Sequence, residues 1–197
     1  MPSPYLVPGL IAITLISGCA VKGNVTVVEP TEGARARIRV AALDDAPMGS
    51  YRGVRAYPSS QCAARGVTGN GNVVNPTMGF EKTLNDQSRG MPSTVHSQDN
   101  GLRKAEFYAT AGQPIAITYV RVPSQSVNVA GGMQTITTYR DGCSHGVQFT
   151  PEANADYEIV FDPARSCKVL AYQLIQTDGR VVVKPFDIEA AQACSKK

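Results

Sequence analysis

The sequence predicts an all-β domain: an antiparallel β-sandwich, immunoglobulin-like or related, disulfide-stapled and carrying one long loop. Three observations predict it. The second half is a succession of short runs rich in Val, Ile, Thr, Tyr and Phe, the residues that suit a pleated, half-buried surface. Turn dipeptides, above all Asp178-Gly179 and Asp141-Gly142, punctuate those runs at the spacing of a sandwich. Apart from Cys19 near the start, four cysteines are spread from Cys62 to Cys194, an even set that suits an oxidising compartment. A closed barrel is the alternative architecture.

In chain order, Leu6 to Ile16 is apolar, too short to span a bilayer and broken by Pro8-Gly9. From Val21 to Glu32 the composition of Gly, Asn, Thr, Val and Pro predicts a short tether. The alternation of Ala34-Arg35-Ala36-Arg37-Ile38-Arg39-Val40 predicts a strand with one face in the core and one in water. Gly53 to Tyr57 is a second short strand. Ala63 to Lys104 is rich in Gly, Asn, Ser, Thr and Pro without sustained period, which predicts a long loop; Phe80, Leu84 and Met91 are its candidate anchors. Strands are predicted at Glu106 to Thr110, Pro114 to Val122, Met133 to Tyr139, Val147 to Thr150, Tyr157 to Phe161, Lys168 to Gln176 and Arg180 to Lys184. Gly131-Gly132 marks another bend. Ile188 to Ala193 alone reads as helix.

The run Ile16-Ser17-Gly18-Cys19, closing the apolar stretch, resembles the lipobox of bacterial lipoproteins. The resemblance implies a signal peptide over residues 1–18, cleavage before Cys19, and a lipid on the Cys19 thiol. Residues 19–33 would then form a lipid-anchored tether and residues 34–197 a single domain, long enough for its own core. In such lipoproteins Ala20 after the lipidated cysteine implies sorting to the outer membrane, with the domain facing the periplasm. More than one acyl chain gives stable anchoring.

With Cys19 acylated, Cys62, Cys143, Cys167 and Cys194 remain, and three connectivities are open. Cys143 with Cys167 and Cys62 with Cys194 is the preferred pairing, joining neighbouring strands and fastening the tail. Closing a loop of about 25 residues contributes roughly 3.5 kcal/mol in the chain-entropy picture. The formal charge of +3 is mild and scattered, and does not point to nucleic acid.

Further residues are shared in order: Ser88-Arg89-Gly90-Met91-Pro92, Ala111-Gly112-Gln113-Pro114, Cys143, Phe149-Thr150-Pro151-Glu152, Asp156-Tyr157-Glu158, Cys167-Lys168-Val169 and Cys194. Together they resemble a family of small proteobacterial envelope lipoproteins to which no activity is attached. The chain departs from that pattern at Asn154-Ala155, where a Gly usually precedes the Asp-Tyr pair. Pro114 and Pro151 preset strand-edge angles, and Tyr157, Ile159 and Phe161 alternate as core positions should.

Arg35, Arg37 and Arg39 are the candidate anion-binding residues. At that spacing they leave one strand face about 7 Å apart, which suits lipid or lipopolysaccharide phosphates. The alternative is a solvated strand face paired with Glu29, Glu32 or Asp44. His145 near Cys143, and His96 beside Ser97 and Asp99, are weak catalytic patterns, because triads are assembled by a fold and not by adjacent residues. Two distant histidines without CxxC predict no metal site, and no cofactor is predicted. The expectation is a membrane-anchored envelope protein acting as a structural or protein-interaction module, with another envelope protein as partner and no enzymatic activity. The alternatives are a binder of envelope lipid or glycan and an envelope hydrolase, the latter resting on convergence of His96, Asp99 and Glu106.

Overall fold

The computed structural model describes residues 25–43, 52–58, 71–74, 84, 86–99, 102–121, 124–130, 132–140, 143–162 and 168–191. The lipobox, Cys62, Cys167 and Cys194 lie outside these residues, and Cys143 is described in its backbone only, so the disulfide pairing and lipidation readings fall outside them. In chain order the elements are β1 (Val25–Thr26), β2 (Arg35–Leu43), β3 (Arg52–Pro58), β4 (Gly71–Val74), the single-turn helix α1 (Val95–Gln98), β5 (Leu102–Thr110) and β6 (Ile115–Arg121). There follow β7 (Ser124–Ala130), β8 (Met133–Arg140), β9 (Cys143–Phe149), β10 (Asp156–Asp162), β11 (Lys168–Thr177), β12 (Arg180–Pro185) and β13 (Glu189–Ala190).

The all-β expectation holds. One sheet runs β1-β4-β3-β6-β9-β13, a second runs β12-β11-β10-β2-β5, and β7 and β8 pair with each other. The alternation in β2 sends Ala36, Ile38, Val40 and Ala42 into the core. Neighbouring strands answer in register, with Ile38 opposite Phe107 on β5 and Tyr157 on β10. The other sheet supplies Val54, Ala56, Ile115, Ile117, Tyr119 and Val147 to the same hydrophobic cluster. Tyr119 stacks on Phe161 across the two sheets, ring centroids 5.3 Å apart.

Four expectations are corrected. The pairing is mixed: β2 runs parallel to β10, and β1 parallel to β4. Within the segment expected to be helical, Ile188 to Ala193, residues Glu189–Ala190 form β13 beside β9. It lies so close that a Cβ on Gly146 would come within 3.0 Å of the Ala191 Cβ, so glycine there permits the approach. The predicted loop from Ala63 to Lys104 contains β4, α1 and the start of β5. Finally, the segment read as a tether lays β1 beside β4 and packs Val27 on the core.

Two turns behave as their residues dictate. Asp178 and Gly179 both take positive φ, 49° and 74°, and close the β11–β12 hairpin with Thr177 opposite Arg180. At the turn before Asp156-Tyr157, Asn154 adopts φ 61°, the left-handed conformation that asparagine tolerates.

The β6–β9 hairpin is longer than the sheet that holds it. Arg121 is opposite Cys143, and Ser124 opposite Arg140, so β7 and β8 continue β6 and β9 in one register until a one-residue shift between Ser124 and Gln125. Among the described residues this arm is two strands wide.

Candidate functional site

The outer face of the second sheet concentrates the charge chemistry. Parallel pairing sets Glu158 beside Arg39 and Asp156 beside Arg37, while antiparallel pairing sets Glu106 on the other side of Arg39. Opposite charges thus share one face in adjacent register positions. Over them runs a strap, Gln87 to Thr94, that leads into α1.

Arg39 is buried at 3% exposure, between Glu106 at 6% and Glu158 at 0%. Its Nε and Nη2 donate to Glu106 Oε1 at 2.9 and 2.7 Å, and its Nη1 to Glu158 Oε1 at 3.0 Å. Nη2 also reaches the strap carbonyls of Met91 and Pro92 at 3.2 and 2.9 Å. The second oxygen of Glu106 accepts from the strap in turn: the Arg89 N–H, the Met91 N–H and the Ser88 hydroxyl. Thr94 donates its hydroxyl to Glu158 Oε1 at 2.7 Å while accepting from the Ser97 N–H as the N-cap of α1.

Arg37 makes a two-pronged pair with Asp156 at 2.6 and 2.7 Å and donates to the carbonyls of Arg89 and Gly90. Arg89 is held to Glu29 at 2.5 Å and lies over the Tyr108 ring. Arg35 sits over the same ring at 4.4 Å and is exposed. Of the three arginines in the predicted anion row, then, Arg39 is buried and Arg37 is engaged with Asp156. Arg35 is exposed, beside a cleft of about 350 Å³ shared with Tyr108, Asn154 and Arg37.

This arrangement fixes its own charge states. Burial works to raise the Glu106 carboxyl, but the Arg89 N–H, the Arg39 guanidinium and the Met91 N–H outweigh it and hold the pKa below the ordinary carboxylate value. Burial likewise opposes, and Arg89 with the Tyr108 N–H overcomes, the shift at Glu29, which is also lowered. A depressed folded-state pKa gives stability that is present above the unfolded value, near pH 4.3, and is lost as pH falls through the folded one. The urea midpoint is therefore expected to change little from pH 7 to 5 and to drop below about pH 4. Glu106→Gln should flatten that drop. An acid limb identical in wild type and E106Q would disprove the assignment.

The histidines are placed apart. His96 stacks on Tyr172 at 5.7 Å, and the Ser97 hydroxyl beside it donates to the Thr94 carbonyl, closing the helix cap. Glu106 lies under the strap with its carboxylate taken up by Arg39, Ser88 and the strap amides, and Asp99 is exposed. His145 is exposed on β9. Among the described residues no group of three His, Cys, Asp or Glu could hold a metal, and no helix is long and apolar enough to cross a membrane.

Two clefts flank Pro114 at the β5–β6 turn. One of about 450 Å³ sets the aromatic rings of Phe149, Tyr157 and Phe186 beside Glu152, Asp187 and Gln173. The other, about 350 Å³, is mainly apolar, between Val27, Val28, Tyr57, Phe107 and Ile115. Neither was foreseen from sequence. The partners of Arg37 and Arg39 had a signal, since the spacing Asp156-x-Glu158 matches Arg37-x-Arg39 and opposite charges at equal spacing fit one sheet face.

Comparison of the chain with family models, with curated proteins and with solved structures finds no match.

Proposed function

We propose that this protein is a lipid-anchored component of a bacterial cell envelope whose β-sandwich, immunoglobulin-like or related, acts as a structural or protein-interaction module. The run Ile16-Ser17-Gly18-Cys19 supports the anchor, at the outer membrane with the domain toward the periplasm. The observation that carries the module reading is the ion-clamped strap: Arg37, Arg39, Glu106, Asp156 and Glu158 direct their charge at one another and at the Ser88–Thr94 backbone. Such a network stiffens a body. A catalytic group has to present its charge to a substrate instead.

A second reading, an envelope lipid or glycan binder, is favoured by the cleft where Phe149, Tyr157 and Phe186 stand beside carboxylate and amide groups, the mixture of rings and hydrogen-bonding groups that sugars engage.

The anchor is tested by the intact mass of membrane-extracted protein, expected to begin at an acylated Cys19, and by Cys19→Ala, expected to move the protein into the soluble fraction. An uncleaved, unacylated chain sinks it. Photoreactive residues at Met133 and at Gln173 in intact cells separate the two functional readings. A discrete protein at Met133 supports the module; lipid or glycan at Gln173 alone supports the ligand binder.

A further inference from the structure

The arm formed by β7 and β8 is built differently from the rest of the surface. It continues the β6–β9 hairpin past the sheet by about seven residues per strand, roughly 23 Å at strand rise. Among the described residues its strands pair only with each other, so each presents an outer edge of backbone N–H and C=O groups. Between Arg121 and Arg140 the sequence holds no charged residue. The run Met133-Gln134-Thr135-Ile136-Thr137-Thr138-Tyr139 is β-prone, uncharged and free of Gly and Pro, the composition of a pairing strand. On it Met133 is 75% exposed and Ile136 57%.

The outer strands of the second sheet are blunted. β12 carries Arg180, Lys184 and Pro185, and β5 carries Arg103, Lys104 and Glu106. Charges and proline are the usual defence of an edge against unwanted pairing, and the arm has none from Ser124 to Tyr139. A lone two-stranded ribbon is also only marginally stable in water, so added strands would stabilise it.

We propose that the β8 edge pairs antiparallel with the β8 edge of a second copy of this chain, joining the two arms into a four-stranded sheet across a two-fold axis at Ile136. This names the partner of the interaction-module reading and rests on it. The edge is compatible with itself, because two copies of an uncharged strand set no like charges opposite one another. An edge built for a charged partner would carry the complement, whereas an uncharged edge is self-compatible. Two-fold pairing about Ile136 sets Tyr139 of each copy opposite Met133 of the other and sends the two Arg140 residues to opposite ends. The bodies, each with net charge +3, are then held apart by arms longer than the Debye length of about 8 Å, so their repulsion is screened.

The test is co-isolation from membranes of two differently tagged full-length copies. Unaltered copies are expected to co-isolate. Thr137→Lys in both copies should lower the yield at least tenfold, by placing a charge on the edge while leaving the body's melting temperature within about 2 °C. Because Thr137 of one copy comes opposite Thr135 of the other, a T137K copy expressed with a Thr135→Glu copy should recover co-isolation, which also shows that the altered arms still form. Failure of unaltered copies to co-isolate, or indifference to the lysine, overturns the proposal. A photoreactive residue at Thr137 that captures only a different envelope protein also overturns it, and leaves the module reading standing. Capture of nothing there, with lipid or glycan caught at Gln173, removes both.

Discussion

Replacing Arg39 by alanine is expected to destabilise the protein by about 3–5 kcal/mol, the usual cost of removing one partner from a buried ion cluster. The guanidinium touches Glu106, Glu158 and the carbonyls of Met91 and Pro92. Without it two carboxylates stay under the strap with no cation between them. Glu106 keeps backbone and hydroxyl donors from Ser88, Arg89 and Met91. Glu158 is worse placed, fully buried, with Thr94 as its remaining partner on Oε1 and none on Oε2 among the described residues. Arg39→Lys should also lose stability, because a single ammonium cannot reach two carboxylates and two carbonyls in the planar fork geometry of arginine. Urea unfolding at pH 7 measures the loss as a fall in midpoint at constant slope. Trypsin adds a local readout, since release of the strap should expose the Arg89–Gly90 bond. A loss below about 1 kcal/mol would show that the strap is held by something other than Arg39.

The same residue shows what the sequence could and could not convey. Alternation in Arg35–Leu43 tells which residues face the core, because strand period depends only on the local backbone. It cannot tell what covers the opposite face. That depends on Gln87 to Thr94, a polar segment without period, and on the parallel register that brings β10 to β2 from far along the chain. Arg37 and Arg39 therefore read as a solvated or phosphate-binding row, although the matching spacing of Asp156 and Glu158 was available. Local chemistry was most legible at Asp178-Gly179, where both residues need positive φ, and at Tyr157, Ile159 and Phe161, all buried as their alternation requires. It failed at Glu189 and Ala190, good helix formers that pair with β9 beside Gly146 instead. It failed too at β7, where Ser and Asn disfavour a strand that the register of β6 and β9 nonetheless continues. The clefts beside Pro114 were illegible, because residues as distant as Val27 and Ile115, or Phe149 and Phe186, line them together.

Phe161→Ala should cost a comparable 3–5 kcal/mol for a different reason. Phe161 is 1% exposed and stacks on Tyr119, so its ring is where side chains of the two sheets meet. Truncation removes its apolar surface and leaves a cavity that neighbours fixed in two strand ladders, Ala42 on β2 and Val169 on β11, cannot easily refill. Ile159→Val on the same strand should cost only about 0.5–1.5 kcal/mol, and Ile175→Ala on the exposed side of β11 within about 0.5 kcal/mol. A Phe161→Ala loss no larger than that of Ile159→Val would show that the sheets do not depend on this contact. Combining Phe161→Ala with Arg39→Ala asks whether the inner and outer faces of the second sheet are one cooperative unit. The two side chains lie on opposite faces of the sheet, so their losses should add to within about 0.5 kcal/mol. A coupling above about 1 kcal/mol would mean that the strap and the core order each other through β2 and β10. In that event the ion cluster sets the packing of the core as well as the position of the strap.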